Sequence, residues 1–357
     1  MLKNTRSNLI RCTVFLLILG IVFFYLNQVF SIAESEESKK NFNQFYDEKK
    51  NSLDGIFFGA SSVNRYWVAA KAYHDTGIAV YNLGTTSQPL VVVKSLLEET
   101  AKSQKPKVFI IELRWLVRNA DRIEEAFIRK VTDSMHFSAT KIQAVNESVD
   151  YAIQGDNDVV DNKFDYYIPI LKYHGRWNEE DLTTDDLRID KTRTLCKGFF
   201  LTPSRSFRQV PQSPAVYSDE TVPLAPETQE VFDDLLDYCD SIETEVLFVL
   251  SPHSVTEENV GRLNEAVKIA RERGYTVLNF NTKEMIEKVG INWETDFFNS
   301  NHVNILGAEK YTAYLANYIV EHYNVTDHRG DPDYASWDKA YENYLDFTEE
   351  KRKQMEE

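Results

Sequence analysis

From Cys12 to Ala33 the chain carries no charged residue, and most positions are Leu, Ile, Val or Phe. Wound as a helix, such a run is long enough to cross a hydrocarbon layer of about 30 Å. Lys3, Arg6 and Arg11 precede it with no acidic residue among them, and Glu34, Glu36 and Glu37 follow. The positive-inside rule then predicts a cytoplasmic N-terminus and exports everything beyond residue 33. Two readings of the segment stand: a retained signal anchor, or a cleaved signal peptide with Ser31 and Ala33 at the small-residue positions of the cleavage site. The run exceeds a typical signal h-region of about 7–15 residues, which favours the anchor. Basic flanks and all-round apolarity argue against a buried core helix. Residues 1–33 are therefore expected to form a cytoplasmic tip and single-pass membrane anchor, with the working part extracytoplasmic.

The whole chain of 357 residues is 43% apolar and 27% charged, a globular composition that excludes a disordered, collagen-like or polytopic membrane protein. Its 40 basic and 56 acidic residues give a net charge of −16, which repels phosphate backbones and predicts no nucleic-acid partner. Cys12 lies in the apolar run, so only Cys196 and Cys239 are candidates for a disulfide, and spacing alone leaves their pairing open. Neither a Cys-x-x-Cys nor a His-Glu-x-x-His motif is present, so the sequence predicts no metal site.

Residues 34–53 are charged and polar and read as a juxtamembrane spacer. Beyond them short apolar runs recur: 56–58, 78–81, 108–111, 246–250 and 275–278. They lack polar alternation, which suits strands buried on both faces. Stretches of helical length lie between them, at about 62–75, 88–103, 226–241 and 255–273. This alternation predicts a doubly wound α/β domain with a parallel sheet over about 54–328. Tyr311, Tyr314, Leu315, Tyr318 and Ile319 keep helical spacing and predict a last core helix over 306–323. Residues 120–225 break the rhythm, with an acidic cluster at Asp156, Asp158, Asp161 and Asp165, and read as one long insertion or a small second domain. In a C-terminal helical tail, 329–357, the stripe Trp337, Tyr341, Tyr344 and Leu345 is expected to pack against the core.

In parallel α/β sheets, ligands gather beyond the carboxyl ends of the strands. Gly59-Ala60-Ser61-Ser62 follows the first strand; glycine allows a tight turn, and Ser61 begins the next helix, where free N–H groups favour a developing oxyanion. Asn82-Leu83-Gly84 follows the second strand. Asp296-Phe297-Phe298-Asn299-Ser300-Asn301-His302 precedes the last helix. A hydroxyl and an imidazole from opposite ends of the chain are thereby predicted to meet at one sheet edge. Taken singly, Gly-x-Ser reads as a helix cap, His302 as a structural histidine and Gly84 as a turn. His253, after the fourth strand, is a further candidate lining residue.

These segments, with His302-Val303-Asn304 and Gly307-Ala308-Glu309-Lys310, resemble the SGNH/GDSL hydrolase superfamily over about residues 54–323. The likeness is to its membrane-anchored bacterial branch, which includes DltD-type proteins of teichoic-acid D-alanylation and polysaccharide O-acetyltransferases. Lys172-Tyr173-His174-Gly175-Arg176-Trp177 also resembles an element of Gram-positive members. The resemblance implies a flavodoxin-like three-layer fold, Ser61 as nucleophile and His302 as base. It further implies an oxyanion hole lined by the N–H groups of Ser61 and Gly84, with no metal or organic cofactor. Its implied partners are a cell-envelope polysaccharide or teichoic acid and a multispanning membrane O-acyltransferase.

Two positions depart from the family pattern. Asn299 stands where the family places an Asp, three residues before the histidine. An amide can hydrogen-bond the imidazole, yet it brings no negative charge, and in a serine protease the same change costs on the order of 10⁴ in rate. Asp296 is the candidate substitute; otherwise Ser61 and His302 act as a dyad, or the site is degenerate. The glycine–asparagine element after the third strand is replaced by Glu112-Leu113-Arg114-Trp115. Arg114 is a candidate oxyanion or anion ligand, with pairing to Glu112 as the alternative. His174 and Arg176 have the chemistry of a substrate clamp and Trp177 that of a sugar platform, the alternative being a packed aromatic turn. The expected activity is that of an acyltransferase or esterase acting on hydroxyl groups of an envelope polymer, the alternative a non-catalytic envelope binding protein.

Overall fold

The computed structural model describes residues 2–30, 36–117, 122–155, 162–178 and 193–356. Ser31, Ala33, Asp156, Asp158 and Asp161 lie outside the described residues, as do the side chains of Arg176 and Trp177.

Five strands form one sheet: β1 (Gly55–Phe58), β2 (Val80–Asn82), β3 (Val108–Glu112), β4 (Glu245–Leu250) and β5 (Thr276–Asn279). Every pairing is parallel, and the spatial order is β2-β1-β3-β4-β5. Every residue of β1, β2 and β3 is buried, so these strands need apolar side chains on both faces. That need is why the five runs read from the sequence match the five strands. The order reverses between β1 and β3, which opens a crevice beyond their carboxyl ends.

Helices cover both faces. Ala69–Thr76, Ile305–His322 and Ala335–Glu356 pack together as one group. Val93–Ala101, Ala139–Gln154 and Pro226–Ser241 form another. The helical stretch expected at 62–75 is broken into Ser61–Asn64 and Ala69–Thr76, with Tyr66, Trp67 and Val68 fully buried at the break. Ile128, Val131, Ala144, Val145 and Val149 of the long insertion join the same hydrophobic core as the sheet.

The stretch 34–53 differs from the expected spacer. Glu36–Asp47 is an amphipathic helix that buries Asn41, Phe42 and Phe45. Phe45 meets Tyr81 of β2 edge-on at 5.6 Å, and the Asn41 Nδ2 donates to the carbonyls of Asn82 and Gly84. Its many charges hid a two-turn apolar stripe. In the C-terminal tail Trp337 and Tyr344 are buried as expected, whereas Leu345 is exposed. Cys196 and Cys239 are both buried and unbridged, and burial pushes each thiol up to about 12.

The N-terminal helix, Leu2–Phe30, contains one stretch long and apolar enough to cross a membrane, Arg6–Val29. None of its most apolar window is buried, unlike a core helix. Near its end, the Asn27 Oδ1 accepts the Ile170 N–H at 3.0 Å.

Phe42→Ala should lower the unfolding free energy of the detergent-solubilised protein by about 3–5 kcal/mol, the usual cost of emptying a buried phenylalanine site. Denaturant titration would read this, and an unchanged midpoint would mean that the helix Glu36–Asp47 does not support the core.

Candidate active site

Ser61 is delivered by a turn that only glycine permits. Gly59 has φ +149°, and a Cβ there would lie 2.6 Å from Cβ of Glu112 and 2.8 Å from Val63. The chain leaves β1 through this turn, and Ser61 begins the short helix Ser61–Asn64. No hydrogen bond from its backbone N–H is present among the described residues, leaving that donor for a substrate oxygen.

His302 arrives from the far end of the chain on a hairpin made by β6 (Phe297–Asn299) and β7 (His302–Val303). Its Nε2 lies 2.7 Å from the Ser61 Oγ. Its Nδ1 lies 3.0 Å from the Asn299 Oδ1. The same oxygen accepts the backbone N–H of Asn301 at 2.9 Å. A backbone N–H can only donate, so the amide atom facing the ring is the oxygen and the His302 Nδ1 carries a proton. The bare Nε2 therefore accepts from the serine hydroxyl. Asn299 holds the tautomer that a general base needs, although it brings no charge.

The imidazolium is disfavoured. Burial, then the guanidinium groups of Arg114, Arg65 and Arg205, push His302 down to about 3. Phe298 stacks on the ring at 5.2 Å and 5°, fixing its plane. His253 lines the same cleft, donates Nδ1–H to the Ser251 carbonyl at 3.0 Å, and is held well below its usual range, first by burial.

Asp296 does not replace the missing acid. Its carboxylate pairs with Lys310 at 2.7 Å and accepts from the Asn292 N–H and the Thr295 hydroxyl, while only 1% exposed. The stretch after the histidine is architectural in the same way. Asn304 caps the helix Ile305–His322 by accepting from the N–H groups of Leu306 and Gly307. A Cβ on Gly307 would meet the Asp296 carbonyl at 2.5 Å. The oxyanion assignment changes as well: the Gly84 N–H donates to the Asn82 Oδ1 at 3.1 Å and so is already engaged. Gly84 is instead a close-approach glycine, where a Cβ would lie 2.9 Å from the Gly59 carbonyl. Asn82 is fully buried, and its Nδ2 donates to the carbonyls of Val63 and Trp67, which ties the end of β2 to the segment that follows Ser61.

Arg114 lines the cleft and does not turn its guanidinium to Glu112. It donates to the Tyr66 hydroxyl at 3.2 Å and to the Asn301 carbonyl at 2.9 Å, bracing the histidine hairpin. Glu112 is fully enclosed and accepts from the Ser251 N–H and hydroxyl and from the Arg114 N–H. Burial, opposed by Arg114, pushes it up to about 7. His174 is exposed, donates Nδ1–H to the Leu171 carbonyl and does not line the cleft. Its segment packs instead against the N-terminal helix.

The cleft around Ser61 and His302 has a volume of about 700 Å³. The sequence reading missed Tyr66, whose hydroxyl bonds the carbonyls of Pro252 and Asn301, and four further arginines on the cleft wall: Arg65, Arg122, Arg205 and Arg262. Among the described residues no group of three or more His, Cys, Asp or Glu side chains is placed to hold a metal ion.

The pH dependence follows from the His302 shift. The neutral base form persists as pH falls from 8 towards 5 and is lost only as pH drops through about 3. Modification of Ser61 by a fluorophosphonate should therefore run at a level rate between pH 8 and 5, and a half-maximal point near pH 6.5 would contradict this environment. Asn299→Asp supplies the absent charge. It should speed the same modification by at least about tenfold, with the ~10⁴ of the reverse change in a serine protease as a ceiling.

No protein-family model matches the chain, and no curated protein matches it. Among solved structures, the chain is similar to a gut microbial diltiazem-metabolizing enzyme, at 14% identity and a TM-score of 0.27. That alignment covers 76% of this chain and 48% of the other, so the chain spans about half the length of that protein.

Proposed function

We propose that the protein is a membrane-anchored, extracytoplasmic acyltransferase or esterase of SGNH type, acting on hydroxyl groups of a cell-envelope polymer. The observation that carries this reading is the 2.7 Å contact between the Ser61 Oγ and a His302 Nε2 whose lone pair is freed by the bond to Asn299. Basic residues before the apolar helix and acidic ones after it support export of the domain.

The chemistry proceeds in two balanced halves. The Ser61 Oγ attacks the acyl carbonyl while its proton passes to the His302 Nε2, and the carbonyl oxygen takes charge beside the free Ser61 N–H. Collapse expels the donor's leaving oxygen, which takes the proton from His302 and leaves an acyl-Ser61 ester. An acceptor hydroxyl, or water, then gives its proton to His302 and attacks that ester, and the Ser61 oxygen recovers the proton. A membrane anchor suits a donor delivered from the bilayer, in keeping with the multispanning O-acyltransferase that the family resemblance implies.

Full-length protein in detergent should be labelled at Ser61 by a fluorophosphonate, located by peptide mass spectrometry. Ser61→Ala should abolish labelling, and His302→Gln should slow it by at least about 10². Cells carrying Ser61→Ala should lose acyl groups from envelope polymer, and undiminished acylation would refute the nucleophile. Asn299 favours one other reading, a catalytically degenerate SGNH-like protein that binds polymer or a membrane partner. Absence of labelling in wild type and Asn299→Asp alike would favour it.

A further inference from the structure

A second cavity, of about 320 Å³, opens where the N-terminal helix meets the rest of the chain, and it shares no lining residue with the Ser61 cleft. Its volume falls within the range of small-ligand pockets, about 300–1,000 Å³. Asn27 and Gln28, in the last turn of the helix Leu2–Phe30, form part of its wall. The apolar stretch Arg6–Val29 has 24 residues. It rises about 36 Å as a helix against about 30 Å of hydrocarbon, so its end reaches the lipid headgroups. Asn27 there accepts the Ile170 N–H, and a polar contact from a loop backbone belongs outside the hydrocarbon.

Two charged groups face this cavity without the partners that burial demands. Lys141, on the helix Ala139–Gln154, is 4% exposed, and among the described residues its ammonium makes no hydrogen bond or ion pair. Burial lowers its proton affinity, and the nearby charge of Asp133 opposes the shift. The Asp133 side chain is fully enclosed: its Oδ2 accepts from Arg129 at 3.3 Å, whereas its Oδ1 is buried with no hydrogen-bond partner. A donor and an acceptor buried side by side, each left open, lower the stability of the empty protein. Lys39 and Arg193 add positive charge to the wall, Arg193 while paired with Asp47. Phe137 also lines the cavity and is 63% exposed, as suits an aromatic ring at a membrane–water interface.

We infer that this cavity holds the headgroup of a phospholipid, whose phosphodiester accepts from Lys141 and whose terminal O–H or N–H donates to the Asp133 Oδ1. Glycerol and ethanolamine headgroups both carry a phosphate with such a donor a few bonds away. The positive wall selects the phosphate, and the open carboxylate oxygen selects the donor. The bound headgroup would join the N-terminal helix, the helix Glu36–Asp47 and the helix Ala139–Gln154 at the bilayer surface. The inference rests on the reading of Arg6–Val29 as a membrane anchor and is independent of Ser61 and His302.

Lipid titration tests it. Full-length protein in a neutral detergent is mixed with phosphatidylglycerol, phosphatidylethanolamine or phosphatidylcholine, bound lipid is counted by native mass spectrometry, and thermal unfolding is followed. Phosphatidylglycerol or phosphatidylethanolamine should bind as one tight equivalent and raise the Tm. Phosphatidylcholine, whose headgroup has no O–H or N–H, should bind roughly tenfold or more weakly, the size of one hydrogen bond to a charged group. Lipid that merely coats the apolar helix is common to all three. Lys141→Met should weaken the tight equivalent by a similar factor, and Phe137→Ser, at an exposed position outside the core, should weaken it severalfold. No tight equivalent, phosphatidylcholine bound as tightly as the others, or binding indifferent to both changes would overturn the inference. So would an equal rise in Tm with inorganic phosphate alone, which would assign the cavity to free phosphate. Extraction of the protein from cell membranes by alkaline carbonate would remove the anchor and the lipid site together. Resistance to carbonate with lipid binding indifferent to both changes would remove the lipid site alone.

Discussion

One hydrogen bond decides what the Ser61 site can do. The backbone N–H of Asn301 points at the side chain of Asn299, and because that N–H has no acceptor capacity, it dictates which end of the amide faces the imidazole. The proton on the His302 Nδ1, the open Nε2 and the direction of the Ser61 hydroxyl all follow from it. An amide in an acid's place is expected to cost a hydrolase its tautomer. Here the two-residue turn of the β6–β7 hairpin supplies the orientation that a carboxylate would enforce by charge. What the turn cannot supply is the negative charge itself, so it brings nothing to offset the burial and the Arg114, Arg65 and Arg205 guanidinium groups that lower the proton affinity of His302.

The parallel sheet was legible because its strands are buried on both faces and so had to be written in uninterrupted Ile, Val, Phe and Leu. Ser61 and His302 were legible for a related reason: strand ends in this topology face one crevice, so a residue just beyond a strand has a predictable address. What failed to read is equally physical. Asp296 sits six residues before the histidine, and spacing cannot say which way a loop carboxylate turns; the presence of Lys310 one helical turn into the next helix decided it. Gly84 looked like an oxyanion donor because its role as a close-approach glycine leaves the same trace in sequence. The helix Glu36–Asp47 was disguised by its charges, although Asn41, Phe42 and Phe45 keep helical spacing. The arginine wall escaped notice because its members are scattered from Arg65 to Arg262 and gather only when the loops fold over the sheet edge.

Several histidines show how a ring can be spent on architecture. His74 stacks on Tyr341, His136 on Tyr46 and His322 on Tyr318, each with its centroid within 4 Å of the other ring. His328 stacks on Tyr334 and reaches the Asp54 carboxylate at the base of β1. The His74 pair joins two helices, the His136 pair joins a loop to the helix Glu36–Asp47 and the His322 pair lies within the helix Ile305–His322, whereas His253 and His302 are the two that line the Ser61 cleft. The division separates rings that pack within the domain from rings that border its cleft.

Arg114 belongs to both groups. Two of its five N–H donors steady the turn that carries His302, through the Tyr66 hydroxyl and the Asn301 carbonyl, and the guanidinium remains on the cleft wall. A fork with donors to spare can grip an incoming oxygen without releasing the backbone it already braces. One planar group thus borders the cavity and braces the turn that carries His302, so the cleft wall and the seat of the imidazole are built from the same side chain.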